Sequence, residues 1–411
     1  MKKIYILIFV IIFGSISAFG GESKTISIDG VTREYKLFLP DKPTGTPQPL
    51  IVFLHGLGQK IAEYEGIAQQ MANATGSVFL LPQALDEQST NIKTLINLAK
   101  DKGGLEIPAE CVWSAGLSVT LDALAMELSL SATEKFALQL LLPSGKAVLN
   151  ANVNDLGFLN GIINEAKASF SINPSRIYMI GASLGGAMTY RYAYSAGSQV
   201  SAIAVIAGFI GAEVDHSGSL NIPVCIFHSQ NDQVVPYSGG LFNRPIPDIV
   251  DEIGQKRGCT GTPSVYNFPD IAPDGVTVQS KTYNCNPELP LKFYILSGAA
   301  HALFMTSDYT AGPNDMDYMT EVWKFFEEAK PNSVETIRSV EPVSFYPNPA
   351  KENITFTVSG SFELKEMTGK TILKGNAVAG EMTSLENIPS GIYIITLKSD
   401  EGMYSGKLIV K

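Results

Sequence analysis

Residues 176–190 read RIYMIGASLGGAMTY. A short apolar strand, RIYMI, runs into a glycine-bounded turn and then into a helix. Ser183 sits at the apex, inside Gly181-Ala182-Ser183-Leu184-Gly185. The G-x-S-x-G spacing is that of a nucleophile elbow, which holds a serine on a sharp strand-to-helix turn. Side chains at the two flanking positions would collide with the neighbouring strand or helix, so glycine is needed there. The N-terminus of the helix offers unpaired N–H groups and positive dipole to a developing oxyanion. Taken alone, the motif is equally a glycine-rich turn of no consequence, and the rest of the chain has to decide.

The strands around it repeat one theme. PLIVFLHGLGQ (49–59), SVFLLP (77–82), SAIAVIAG (201–208), IPVCIFHS (222–229) and LKFYILSG (291–298) are continuous apolar runs. Such runs suit a parallel sheet buried on both faces. Helical spacing recurs at 61–74, 154–170, 246–256 and 317–329. The alternation predicts a doubly wound, mostly parallel α/β sheet. Before it, KTISIDGVTREYKLFLP (24–40) alternates with period two about Asp29-Gly30 and reads as a β-hairpin. Residues 84–152 break the rhythm, and 117–152 reads as a helical insertion. It leaves the C-terminal end of a strand, where lids and substrate-binding insertions sit. A structural decoration without substrate contact is the alternative. After a polar linker at 331–341, residues 342–411 alternate in short strands and turns, which predicts a small β-sandwich.

The chain has 411 residues, 45% hydrophobic and 17% charged, and a net charge of −10. That is ample core for a large α/β unit, and the acidic balance argues against a nucleic-acid or anionic-membrane partner. Residues 1–20, MKKIYILIFVIIFGSISAFG, carry Lys2 and Lys3, then a short apolar run, then small residues. This predicts a signal peptide, the apolar run being too short for a stable membrane span. Export exposes four cysteines to an oxidising compartment. Cys259 and Cys285 lie in loop-like sequence flanking a hairpin region and are expected to form a disulfide. Cys225 reads as a buried thiol within its strand. A bridge between Cys111 and Cys225 is the other possibility.

Three residue types converge on one chemistry. A serine hydroxyl is a poor nucleophile until a base takes its proton, and a third group must orient that base. Ser183, Asp232 and His301 each follow a strand, so all three fall at the carboxyl edge of one sheet. His216 competes with His301, and Asp215 and Asp270 with Asp232. Oxyanion donors are expected from the Leu184 N–H and, after the LIVFLHG turn, the Leu57 N–H. His55 would shape that turn and not act as a base. Trp113 and Tyr237 are candidates to stack on a substrate ring. The histidines are dispersed and no paired C-x-x-C occurs, so no metal is expected, and no phosphate loop or dinucleotide fingerprint calls for a cofactor.

The motifs LHGLGQ (54–59), LPQ (81–83), VWSAG (112–116), NDLGFLNGII (154–163), NPSRIYMIGASLGGAMTYRYA (173–193), FHSQNDQVVPYSGG (227–240) and SGAAHALF (297–304) together resemble a family of secreted esterases. It is the polyhydroxybutyrate depolymerase and feruloyl/acetylxylan esterase group, carbohydrate esterase family 1-like. The resemblance spans about residues 25–330 and implies an α/β-hydrolase fold with a Ser183, Asp232 and His301 triad. The stretch between Gly116 and Asn152 departs from that group, which usually has it shorter or not at all. FYPNPAKENITFTV (345–358), LKEMTGK (364–370), IPSGIYIITL (388–397) and GKLIVK (406–411) resemble the type A sorting domain of the Bacteroidetes type IX secretion system. That resemblance implies passage through the periplasm and release or display at the surface, with the secretion machinery as partner. A carbohydrate-binding β-module is the alternative there, but the segment has no tryptophan. The expectation is a secreted serine carboxylic-ester hydrolase working through an acyl-enzyme on feruloyl or acetyl esters of plant polysaccharide. Alternatives are a polyhydroxybutyrate-type polyester depolymerase, a peptidase on the same fold, and a non-catalytic surface-binding protein on a hydrolase scaffold.

Overall fold

Side-chain alternation in the apolar strands decides how the sheet is buried. The computed structural model describes residues 21–42, 47–103, 107–286, 289–301, 315–329, 345–366, 371–399 and 402–411. The expected leader (1–20) and linker (331–341) lie outside the described residues. The chain divides into two units, Met1–Asn332 and Ser333–Lys411.

In the first unit, β1 (Glu22–Ile28) and β2 (Val31–Phe38) form the hairpin, with Asp29 and Gly30 both at positive φ in its turn. That backbone matches the twist of paired strands, and Asp-Gly is suited to it. Next come β3 (Gln48–Leu54), α1 (Glu65–Thr75), β4 (Val78–Pro82) and α2 (Thr90–Asp101). The insertion follows as β5 (Ser118–Thr120), α3 (Leu121–Glu127), α4 (Ala132–Leu141) and β6 (Lys146–Val148), with β5 and β6 paired as a two-stranded ribbon. The chain continues through α5 (Asp155–Ser169), β7 (Ile172–Ala182), α6 (Leu184–Tyr194), β8 (Ala202–Ile206), β9 (Val224–Ser229) and α7 (Ile246–Lys256). It ends in β10 (Ser264–Asn267), β11 (Thr277–Tyr283), β12 (Leu291–Ser297) and α8 (Tyr318–Glu328).

Ten strands make one sheet in the order β1-β2-β4-β3-β7-β8-β9-β12-β11-β10. The six central strands run parallel, and an antiparallel pair closes each side. Leu50, Val52 and Leu54 of β3 enter one apolar cluster with α2, α5, α6 and α7, while Ile51 and Phe53 enter the other with α1 and α8. The same period-two split recurs in β7, β8 and β9. It is the geometry that lets a strand with no polar face cover itself on both sides. β7 starts before Pro174, whereas the sequence suggests a strand beginning after it. A register irregularity opposite Gln48 and Leu50 takes the proline out of the regular ladder.

Cys259 and Cys285 form a disulfide beside the β10–β11 hairpin. Cys111 and Cys225 are free and buried, so the bridge between them does not form. Cys225 points from β9 into the α1–α8 side of the sheet. No helix among the described residues is long and apolar enough to cross a membrane.

The second unit is built from antiparallel sheets. β13 (Phe345–Tyr346), β14 (Asn353–Phe356) and β17 (Met382–Ser384) make one sheet. β16 (Thr371–Ala377), β15 (Gly360–Glu366), β18 (Gly391–Ser399) and β19 (Gly402–Val410) make the other. Ile354 and Phe356 of one sheet share a core with Phe362, Leu364, Ile395 and Leu408 of the other.

Candidate active site

β7 delivers Ser183 at φ 54° and ψ −121°, a backbone region that side-chain-bearing residues rarely occupy. Holding it costs on the order of 1–3 kcal/mol and requires surroundings that over-determine the turn. The two glycines supply them. A Cβ on Gly181 would lie 2.2 Å from the carbonyl oxygen of Gly185, and one on Gly185 would lie 2.2 Å from that of Leu54. The elbow therefore packs directly on β3 and on its own helix. The Ser183 N–H donates to Ile206 O of β8 at 2.8 Å, which fixes the apex.

The loop after β9 carries the acid and the loop after β12 the histidine. Asp232 Oδ1 accepts from the backbone N–H groups of Val234 (2.9 Å) and Val235 (2.8 Å), leaving Oδ2 for His301 Nδ1 at 2.7 Å. His301 Nε2 stands 3.0 Å from Ser183 Oγ. Serine, imidazole and carboxylate thus form one unbroken hydrogen-bonded chain. Asp232 is buried, which by itself pushes its carboxyl up. The His301 hydrogen bond and charge, with the backbone donors, outweigh burial and hold it below the ordinary value. Two further bonds stitch the acid loop to the histidine loop: Ser229 Oγ donates to Ala299 O, and Gly298 N–H donates to Asn231 Oδ1 at 2.7 Å.

His228 supports the acid from below. Its Nε2–H donates to Val235 O at 2.8 Å and lies 3.5 Å from Asp232 Oδ2, and burial lowers its pKa. The sequence placed His228 only as a strand residue. Its position four residues before the acid, in FHSQND, was the available signal. Two of the competing residues are engaged elsewhere: His216 Nδ1 pairs with Glu252 at 2.8 Å, and Asp215 caps Ser217.

The turn after β3 is held by a polar network. His55 is buried, its Nδ1–H donates to Gly56 O (2.7 Å), and its Nε2 accepts from Ala84 N–H (3.1 Å). Loss of hydration on burial, offset in part by the Gly56 bond, lowers its pKa to about 4. The ring is a neutral strut, as its place in the HGLG turn suggested. Gln59 Oε1 accepts from Gly56 N–H at 2.8 Å, and Gly58 N–H donates to Cys111 O at 3.4 Å. The Leu57 N–H between them donates to no described residue. Leu184 N–H opens α6, where no intrahelical acceptor exists. Both leucines line the cleft at Ser183.

That cleft holds about 220 Å³. Its wall is mostly apolar, with Leu57, Pro108, Leu117, Phe209, Val234 and Phe242 around Ser183 and His301. Leu117, at the root of the insertion, is part of it.

Neither residue expected to stack on a substrate ring lines this cleft. Trp113 is fully buried and its Nε1–H donates to His55 O at 2.9 Å. An indole N–H inside a core needs an acceptor, and here it takes the one that also steadies the turn. Tyr237 faces away from the cleft. Its ring lies parallel to that of Phe293 (6.3 Å between centroids), over a different hollow with Gln230 and Ile295.

The second unit has a direct counterpart. Residues 344–411 match the family model of the secretion system C-terminal sorting domain. The chain is similar to curated esterases. It is 23% identical over 180 residues to the probable feruloyl esterase C of Aspergillus niger, covering 44% of this chain and 60% of that protein. It is 29% identical over 119 residues to the Aspergillus clavatus protein of the same name, covering 28% and 41%. Against feruloyl esterase B of Piromyces equi it is 28% identical over 165 residues, covering 37% of this chain and 29% of that protein. The chain thus spans about 60% or less of the length of these three relatives. Among solved structures, acetyl xylan esterase from Aspergillus awamori aligns at 10% identity over 75% of this chain and 100% of its own, with a TM-score of 0.46.

Proposed function

We propose that this chain is a secreted serine carboxylic-ester hydrolase acting on feruloyl or acetyl esters of plant polysaccharide. The observation that carries it is the Ser183–His301–Asp232 chain on a strained elbow, opening into an apolar cleft. Supporting it are the similarity to proteins named feruloyl esterase and the match of residues 344–411 to a sorting domain, which implies export.

Ser183 Oγ attacks the ester carbonyl carbon while His301 Nε2 takes its proton. The imidazolium that forms keeps its Nδ1–H on Asp232, which stabilises it without taking the proton. The tetrahedral oxyanion faces the Leu184 and Leu57 N–H groups. Collapse of the intermediate breaks the bond to the alkoxy oxygen, and His301 returns the proton to the leaving alcohol. Water then attacks the acyl-enzyme, His301 again taking and returning one proton, and the carboxylic acid leaves. No step of this scheme calls on a cofactor. Asp232 fixes the imidazole tautomer, and the apolar cleft excludes water from the acyl side.

The test is a panel of methyl ferulate, acetylated xylan and polyhydroxybutyrate with purified protein. Turnover of the first or second is expected. Turnover of the polyester alone, or of peptides and no ester, would overturn the reading.

A further inference from the structure

A second cavity lies behind the wall of the Ser183 cleft. Leu95 and Ala99 of α2 line one side and Leu124 and Ala147 of the insertion another. Ile107, Leu117 and Phe242 belong to both spaces and form the partition. The lining is apolar except for Ser118, whose hydroxyl is turned to Glu213 Oε1 at 2.8 Å. Water needs two to four polar partners to occupy such a space, so it is a site for apolar guests. The cavity measures about 40 Å³. One water needs about 10–15 Å³ by the same measure, so there is room for about three methylene-sized groups. That is the end of a chain and not a ring. Ile107 and Phe242 are the half-buried members of the partition, and Phe242 stands on a tight loop closed by Gly240 N–H to Asn243 O at 2.9 Å.

We infer that the insertion builds a tail pocket for unbranched acyl chains, reached from Ser183 past Phe242. This rests on the ester-hydrolase part of the reading and not on the feruloyl or acetyl choice; it adds unbranched acyl esters to the substrates and assigns the insertion a part in acyl selection. An acyl group bound on Ser183 fills the cleft first. A medium-length chain then passes the partition and buries its last methylenes among Leu95, Leu124 and Ala147. Each buried methylene favours binding about fourfold at ordinary transfer energies.

The experiment measures kcat/KM of the full chain on p-nitrophenyl acetate and p-nitrophenyl octanoate. Ala147→Leu and Ala99→Leu each fill the cavity from a different side. Both are expected to lower the octanoate-to-acetate ratio by about tenfold or more, the loss of two or three buried methylenes. Phe242→Ala removes the partition and is expected to raise that ratio. Filled variants that hydrolyse acetate and keep the wild-type ratio would overturn the inference. Should both fail to fold, an unchanged ratio in Phe242→Ala overturns it equally. A wild-type protein inactive on both esters sinks the ester-hydrolase reading itself, and the tail pocket with it. Activity on acetate with no dependence of chain length on these residues sinks the tail pocket alone.

Discussion

His301 Nδ1 lies 2.7 Å from Asp232 Oδ2, and the other carboxylate oxygen is already taken by two backbone N–H groups. Asp232 therefore has one orientation available to it, and it fixes Nδ1 as the protonated nitrogen of the imidazole. Asp232→Asn keeps the shape but presents an amide that can donate and favour the wrong tautomer. We expect kcat to fall by about 10³–10⁴, the scale known for loss of the orienting acid in such triads. Near-wild-type kcat in a folded variant would show that Asp232 does not orient the base.

His55 gives the first unit an acid-side weakness that catalysis does not require. Its ordinary pKa is 6.5, and burial lowers it to about 4 in the folded chain. Between those values the unfolded state binds the extra proton and the folded state does not. Stability therefore falls as pH drops from about 6.5 to about 4, by roughly 3 kcal/mol. His55→Asn removes this titration. Urea unfolding at pH 7 and pH 4.5 should show a smaller acid loss in the variant, whatever its starting stability. Equal losses in both proteins would mean that His55 is protonated in the fold.

The disulfide is expected to serve stability and not chemistry. Cys259 and Cys285 are 26 residues apart, and closing a loop of that length contributes about 3.5 kcal/mol in the chain-entropy account. Neither lines the Ser183 cleft. Cys259→Ser paired with Cys285→Ser should lower the unfolding temperature by several degrees and leave kcat on a short ester within about twofold. A collapse of kcat at a temperature where the variant is folded would tie the hairpin to the active site.

Removing residues 342–411 separates export from hydrolysis. The sorting-domain match assigns the segment to secretion. A truncated chain should keep its esterase activity and accumulate in the periplasm of a host that has the type IX system. Activity lost from a soluble truncated protein would give the β-unit a second role.

How far the sequence could be read follows from what each residue responds to. That Ser183, Asp232 and His301 meet was legible because each follows an apolar strand, and parallel strands bring such positions to one edge. The two-faced burial of β3 and β7 was legible because their runs contain no polar face. Trp113 was not legible: a tryptophan in the loop-like run CVWSAG looks available, and only the tertiary position of His55 O shows where its N–H goes. Tyr237 lies five residues after the acid, yet sequence proximity says nothing of the direction its ring takes against Phe293. The cavity behind Phe242 comes from contacts between distant segments, which no local pattern encodes. The antiparallel docking of β2 on β4 is of the same kind.

If Ser183 is the nucleophile, a reagent that traps activated serines must end up on it. The full chain is incubated with p-nitrophenyl diethyl phosphate, which phosphorylates an activated serine and releases p-nitrophenol. The expected result is one equivalent of p-nitrophenol, one diethylphosphoryl group on the peptide that carries Ser183, and loss of ester turnover in step with labelling. Ser183→Ala is expected to take no label and to lose turnover. A label on another residue, or undiminished turnover in Ser183→Ala, would contradict Ser183 as the nucleophile.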